Sequence, residues 1–291
     1  MITKQQALQK MKADIRFRGL SEHTFRSYLT NVTAFLNYYQ NRPVDELTEI
    51  DVRAFLAHLI NEKKLTPGTV NIYSAAIRFF FAVTLNRTMN YLQIPRMKIP
   101  KKLPEILTRD EVFQLIDICQ NLKHKAMFLL AYGSGLRVNE LVSLRVKDID
   151  SKSMRVFVRG GKGKKDRYTV LSENTLIALR NYWGKYRPGR NEAYLFPGIK
   201  NVGHLSPSAF VRAIDDAINK VGISKNVSPH TFRHCFATHL LEDGYNLFQI
   251  KEMLGHASLS STTVYLHLAN TTSGIVSPAD KISRTFEGCP R

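Results

Sequence analysis

Between Leu92 and Pro104 the chain reads LQIPRMKIPKKLP, and this stretch constrains the architecture more than any other. Pro95, Pro100 and Pro104 lack an amide N–H, and none can sit inside a helix. The cations Arg96, Lys98, Lys101 and Lys102 fall between them and suit an extended strap along a polyanion. Residues 92–104 therefore read as an interdomain linker. A chain of 291 residues is long enough for a domain on each side, at roughly 100–200 residues per domain.

Residues 1–91 read as a small helical bundle. Ser21 suits the cap of a helix whose apolar positions Phe25, Leu29, Val32, Phe35, Leu36 and Tyr39 recur at helical spacing. Thr48 and Asp51 open a second helix as a capping-box variant with Asp in place of Glu. Thr66-Pro67 starts a third through Val70, Tyr73, Ile77 and Phe80, with proline in the tolerated first turn. Arg26, Arg53, Lys63, Lys64 and Arg78 decorate these helices, as solvated faces or as phosphate contacts.

Beyond the linker, Thr108 and Glu111 form a capping box. Helical spacing then runs through Val112, Leu115, Ile116, Met127, Leu129 and Leu130. Residues 154–171 break this pattern. MRVFV and RYTVL alternate as strands around the turn GGKGKK, placing Lys162 at the tip of a hairpin. Helical character resumes at Ser172 and continues to about residue 270. The expected fold is mainly α: a helical first domain, then an α-rich domain over 105–270 with a small antiparallel β-sheet. Residues 271–291 form a polar tail with a short helix expected around Ala279 to Phe286.

Charge narrows the class of partner. The net charge is +18, and residues 1–104 hold 16 Lys+Arg against 7 Asp+Glu, half of that excess. Both halves are basic, so the charge is no detachable tail, and a polyanion gripped by both domains explains it. Cys119, Cys235 and Cys289 contain no CxxC pair, so neither a disulfide framework nor a zinc site is indicated. Cys119 and Cys235 read as small core residues. The polar start MITKQQALQKMK has no signal-peptide character, and no window reaches the ~20 apolar residues of a membrane span. A soluble, cytoplasmic protein is expected.

One constellation carries chemistry. His230 and Arg233 in HTFRH, His256 in LGHASLS and Tyr265 in STTVYLHL read as a phosphate-handling site, completed by Arg137 in GSGLRVNEL and Lys162 in RGGKGKKDR. A phenol with a pKa of about 10 is a poor nucleophile at neutral pH. Guanidinium, ammonium and imidazole groups around it favour the phenolate and stabilise an anionic phosphoryl transition state. Covalent catalysis on a phosphodiester follows, and neither metal nor nucleotide cofactor is needed. Arg137 follows a GSG turn and is placed near a helix amino terminus, where guanidinium and free amides both favour phosphate. The competing role for Arg137 is an ion pair with Glu140 or Asp148. His230 and Arg233 are three apart and share a helix face. His234 and His239 are expected to point elsewhere, into packing or helix-surface hydrogen bonds.

The order Arg, Lys, His-x-x-Arg, His, Tyr resembles the tyrosine recombinases, the family of phage integrases and Xer-type recombinases. The likeness spans nearly the whole chain, because the residues before about 95 look like that family's core-binding domain. It implies a two-domain clamp on duplex DNA with inverted-repeat core sites, and four protomers on two duplexes. It implies Tyr265 as the nucleophile that forms a 3′-phosphotyrosine, with Arg137 and Arg233 on the scissile phosphate. His230 would handle a proton at the nucleophile, and His256 would hydrogen-bond a nonbridging oxygen or position the phenol. Lys162 would be the acid for the leaving 5′ oxygen, with Lys164 and Lys165 as alternatives. Integration, excision and Xer-like resolution are all compatible tasks. The tail, with Ile275, Val276, Ile282 and Phe286, is expected to dock on a neighbouring protomer. Two rivals remain: a type IB topoisomerase, which shares the chemistry, and a noncatalytic DNA-binding protein of the same fold.

Overall fold

The computed structural model describes residues 2–90, 94, 96–100, 103–160, 166–187, 192–198, 202–256 and 258–269. Lys162, its alternatives Lys164 and Lys165, the tail from Asn270 onward and linker residues 92, 93, 95, 101 and 102 lie outside these. The chain divides into two compact units, Met1–Lys102 and Leu103–Arg291.

The first unit holds α1 (Lys4–Phe17), α2 (Glu22–Tyr38), α3 (Glu49–Asn61) and α4 (Pro67–Phe79). Each begins where a side chain can satisfy free amides at the helix start. Ser21 accepts from the Thr24 N–H, Thr66 accepts from the Thr69 N–H, and Thr48 with Asp51 forms the box expected from sequence. Helix α1 has its own box, Thr3 with Gln6, and buries only Ala7, Met11 and Ile15, too sparse a stripe to stand out by periodicity. A π-helical turn, Phe80–Thr84, extends α4 and sends Phe80 and Phe81 into the core. The Phe35 ring meets Phe55 and Phe81 edge-on at centroid distances of 5.4 and 6.1 Å. That geometry matches the quadrupoles of the rings.

The second unit runs α5 (Arg109–Asp117), α6 (Leu122–Ser134), α7 (Val138–Ser143), β1 (Ile149–Asp150), β2 (Arg155–Val158), β3 (Arg167–Val170), α8 (Glu173–Tyr186), α9 (Pro207–Val221), α10 (Pro229–Glu242) and α11 (Leu247–Leu254). Single-turn 3-10 segments follow at Leu259–Ser261 and Thr263–His267. The Thr108–Glu111 box caps α5, and Ser172 caps α8. Helix α6 is the centre of the unit and packs against α8 and α10. Its Phe128 ring lies 5.7 Å from Phe210 of α9 and 5.4 Å from Phe232 of α10.

Strands β2 and β3 pair antiparallel with Val158 opposite Arg167, so they flank the expected turn. The sheet has a third, antiparallel strand, β1, that the alternation did not reveal. Two residues are too few to show a period of two. Cys235 is fully buried, and burial lifts its thiol to about 11, as suits a core residue. A second, smaller apolar cluster stands beside the main core: Phe236 and Ala237 of α10, Ile250 and Leu254 of α11, and Tyr265. Among the described residues, no helix is long and apolar enough to cross a membrane.

Candidate active site

The site begins at a helix end. Helix α6 stops at Ser134, Gly135 takes φ 60° as its left-handed cap, and two residues later Arg137 is already the N-cap of α7. The GSG turn thus delivers Arg137 to a helix amino terminus, as its sequence context suggested. Glu140, three residues into α7, accepts from the Arg137 backbone N–H at 2.9 Å and from its guanidinium at 2.9 Å. The competing ion pair with Glu140 therefore forms as well, and it fixes the guanidinium in place. Asp148 pairs instead with Arg159 and with the Arg145 amide.

Glu140 gathers more than one cation. Arg167, on β3, clamps it bidentately at 2.9 and 2.8 Å, and Arg233 lies 3.7 Å away. Burial opposes ionisation of this carboxylate. The hydrogen bonds and charges of Arg167 and Arg137 outweigh that cost and hold it at about 2. Three guanidiniums against one carboxylate leave the cluster with an excess of two positive charges. From sequence Glu140 was named only as a competing ion-pair partner of Arg137, and Arg167 was not picked out at all. Glu140 carried a weak signal as the N3 partner of a helix start, whereas Arg167 meets it across 27 positions and carried none.

Arg233 is 2% exposed on α10. It donates to the carbonyl oxygens of Gly135 at 2.7 Å and Leu254 at 2.6 Å, at the ends of α6 and α11. A helix carboxyl end carries partial negative charge, so two such ends suit one buried cation. Burial and the neighbouring Arg137 lower its pKa only to about 10, and it stays charged at neutral pH. Both carbonyl-bearing turns need glycine. A Cβ on Gly135 would lie 2.4 Å from the Phe236 ring, and one on Gly255 (φ 63°) would lie 2.8 Å from the Arg167 side chain.

Tyr265 sits in the 3-10 turn Thr263–His267 and is 2% exposed. Burial raises its phenol above the ordinary value, against the pull of Arg233 and Arg137. The expectation that the cations favour the phenolate is thus reversed in the free protein, where desolvation is the larger effect. His256 stacks on the Tyr265 ring at 6.3 Å with planes 13° apart, and its Nδ1 meets Thr262 Oγ1 at 2.8 Å. His230 lies on the exposed side of α10, its pKa lowered by burial and by Arg233 and Arg137.

His234 requires a correction. It was expected to point away from the site, but its Nδ1 lies 3.2 Å from the Tyr265 hydroxyl. Residues at i, i+3 and i+4 share a helix face, so the geometry that pairs His230 with Arg233 includes His234 too. His239 does turn away, and its Nδ1 bonds the Tyr132 hydroxyl at 2.8 Å. The structure therefore brings Arg137, Arg233, His256 and Tyr265 together and adds Glu140, Arg167 and His234. Lys162 lies outside the described residues, between strands that end at Val158 and begin at Arg167 beside this cluster.

Comparison with known proteins bears on the same region. Residues 105–272 match the model of the phage integrase family, and residues 7–91 match its N-terminal SAM-like domain. The chain is 41% identical over 278 residues to the putative integrase/recombinase y4qK of Sinorhizobium fredii, covering 95% of this chain and 89% of that protein. It is 37% identical over 269 residues to the tyrosine recombinase XerD of Oceanobacillus iheyensis, covering 86% and 89%. The crystal structure of the XerH site-specific recombinase bound to palindromic difH substrate superposes with a TM-score of 0.70 at 20% identity, covering 92% of this chain and 82% of that one. At that identity the superposition shows the shared fold alone. By the family match and the two relatives, the chain belongs to the phage integrase family and is a tyrosine recombinase, a site-specific recombination enzyme.

Proposed function

We propose that this protein cuts one strand of duplex DNA by attack of the Tyr265 hydroxyl on the scissile phosphorus, and that it reseals to a partner duplex. The Tyr265 oxygen bonds to phosphorus as the P–O5′ bond breaks, giving a 3′-phosphotyrosine and a free 5′-hydroxyl. A 5′-hydroxyl of the partner then displaces the tyrosine. The phosphodiester energy is conserved in the covalent link, so no nucleotide is consumed. The observation that carries the reading is the arginine cluster on Glu140, with an excess of two positive charges acting on the Tyr265 phenol. That charge suits a phosphodiester whose anionic charge grows in the transition state.

In this scheme Arg137 and Arg233 hold the nonbridging oxygens, His256 keeps the phenol ring in plane, and Lys162 gives the leaving 5′ oxygen its proton. His230, with its ring 6.4 Å from His234, is a second imidazole available for proton handling. The substrates are paired inverted-repeat core sites held by four protomers, with the tail after Asn270 linking neighbours. Integration or excision of a mobile element, or Xer-like resolution, is the task, carried out in the cytoplasm. The domains are a core-binding unit over 1–91, a linker over 92–104 and a catalytic unit over 105–270. In its crystal structure the XerH relative is bound to its difH substrate, which supports a DNA partner here.

The test is a nicked duplex carrying the sequence that Tyr265→Phe selects from a randomised pool. Wild type should form a protein–DNA adduct resistant to denaturant, and Tyr265→Phe should bind equally and form none. An adduct with the Phe variant would move the nucleophile elsewhere. Efficient relaxation of plasmids lacking the selected site would mark a topoisomerase.

A further inference from the structure

A helix leaves its last four carbonyl oxygens without partners inside the helix. In α11 these belong to Lys251, Glu252, Met253 and Leu254. The left-handed turn at Gly255 satisfies the first two. The Gly255 N–H donates to the Glu252 carbonyl at 3.0 Å, and the His256 N–H donates to the Lys251 carbonyl at 3.2 Å. The other two look outside the helix. Arg233 Nη2 donates to the Leu254 carbonyl at 2.6 Å, and Arg167 Nε donates to the Met253 carbonyl at 2.8 Å. Both guanidiniums also face Glu140. Two cations thus fasten the end of α11 to the Glu140 cluster, and His256 closes the turn that they hold.

Arg167 differs from the arginines that suit a phosphate. Its side chain is 9% exposed, against 22% for Arg137. Nε serves Met253, while Nη1 and Nη2 serve the two Glu140 oxygens at 2.9 and 2.8 Å, so each of its nitrogens is engaged within the protein. Gly255 keeps the fit close, since a Cβ there would meet the Arg167 Cδ at 2.8 Å and Nε and Nη1 at 3.1 Å. Acceptors in these directions require a planar fork, which a guanidinium has and an ammonium lacks. Arg167 begins β3, Glu140 lies in α7 beside Arg137, and Met253 lies in α11 ahead of His256. One side chain therefore joins three elements that reach the site from separate parts of the chain.

Resting on the reading above, we propose that Arg167 is a positioning residue for strand cleavage, which holds the end of α11 in register with the arginines that bind the phosphate. It touches neither the phosphate nor the phenol. Its effect passes through Glu140 to Arg137 on one side. On the other it passes through the α11 end to His256, whose ring stacks on Tyr265. The phosphate is held from α7 and α10, and the nucleophile is presented from α11 and the single-turn segments after it. Arg233 spans the same gap, but a phosphate draws on its guanidinium, whereas Arg167 stays wholly committed to the protein. Register across that gap governs rate, because ~1 Å of misplacement at a reacting centre lowers it about 100-fold.

The experiment compares wild type, Arg167→Lys and Arg167→Ala in adduct formation on the nicked duplex described above, and in amide exchange of the free protein. Lysine keeps a cation beside Glu140 but presents one nitrogen, too few for Glu140 and Met253 together. Arg167→Lys should therefore reach half-saturation at the wild-type duplex concentration, yet cleave about 100-fold more slowly at saturation. Arg167→Ala should be slowed as well. Added guanidinium ion should partly restore Arg167→Ala, and methylammonium should not, because only the first supplies the fork. Amides of α11 and of Thr263–His267 should exchange faster in both variants, with those around Phe128 and Phe232 unchanged. Cleavage by Arg167→Lys at the wild-type rate overturns the proposal, as does weaker duplex binding with an unchanged saturated rate. Faster exchange throughout the unit overturns it too, by making Arg167 a general support of the fold. So does full recovery on a 5′-bridging sulfur, which would place the fault at the leaving-group acid. If wild type forms no adduct, the proposed reaction fails and this role with it; if wild type reacts and Arg167→Lys matches it, only the positioning role fails.

Discussion

Replacing Glu140 with glutamine tests whether one buried carboxylate organises the arginines. The amide fits the same space but removes the charge, and it turns an NH2 donor toward Arg137 or Arg167, which are donors themselves. Glu140 is 8% exposed and its carboxyl is held at about 2 instead of 4.5. At about 1.4 kcal/mol per pKa unit, that depression corresponds to roughly 3 kcal/mol of folded-state stability at neutral pH. For a unit of this size, each kcal/mol is worth roughly 2–4 °C, so the melting temperature should fall by roughly 6–12 °C. The sign of the pH dependence follows from the depressed folded value. The stabilisation is fully present above the unfolded value of 4.5 and is lost as pH falls toward 2. The gap between wild type and Glu140→Gln should therefore be largest at neutral pH and close on acidification through that window. Calorimetry across pH reads this directly. Activity and binding should separate: the site gains a positive charge, so duplex affinity at low salt should not fall. Cleavage should drop by roughly 100-fold as the guanidiniums lose their alignment. A melting shift under 2 °C, or a gap that stays constant down to pH 2, would refute the reasoning.

Three further outcomes are expected. Lys162→Ala should slow cleavage of an ordinary phosphodiester and recover with a 5′-bridging sulfur, whereas equal defects on both would make Lys162 a binding residue. Gly135→Ala combines positive φ with a Cβ 2.4 Å from Phe236, so it should cost roughly 1–3 kcal/mol. It should also displace the carbonyl that holds Arg233, and normal stability with normal cleavage would contradict the assigned role of that turn. Duplex affinity should fall steeply with salt because phosphate contacts release counterions. Deleting residues 1–95 should flatten that slope, and an unchanged slope would make the amino-terminal charge a solvated surface.

What could be read in advance follows the range of the interactions. Helix starts were legible because a cap and its partner lie within three residues, as at Thr48–Asp51, Thr66–Thr69 and Thr108–Glu111. The positions of Arg137 and Arg233 were legible because Arg137 follows a turn and Arg233 shares a helix face with His230. Glu140 became a hub only when β3 brought Arg167 against it and α10 brought Arg233. No local pattern encodes that meeting. The easier ionisation of Tyr265 inferred from nearby cations failed for a similar reason, since burial depends on how α10, α11 and the following turns close over the ring. His234 differs: its i+4 relation to His230 was in plain view, and the helical geometry already placed it at the site.

The small apolar cluster that holds Tyr265, the proposed nucleophile, sets that side chain apart from the main core energetically. Structural units of this kind open locally, at a free energy below that of global unfolding. Exposure of the phenol is then an equilibrium confined to α11 and the single-turn segments after it, and amide exchange there should outpace exchange around Phe128 and Phe232. Stabilising the main core leaves that equilibrium where it stands. Trimming Ile250 or Leu254, which wall in the ring, shifts it directly and sets how often the phenol is free to meet a phosphate.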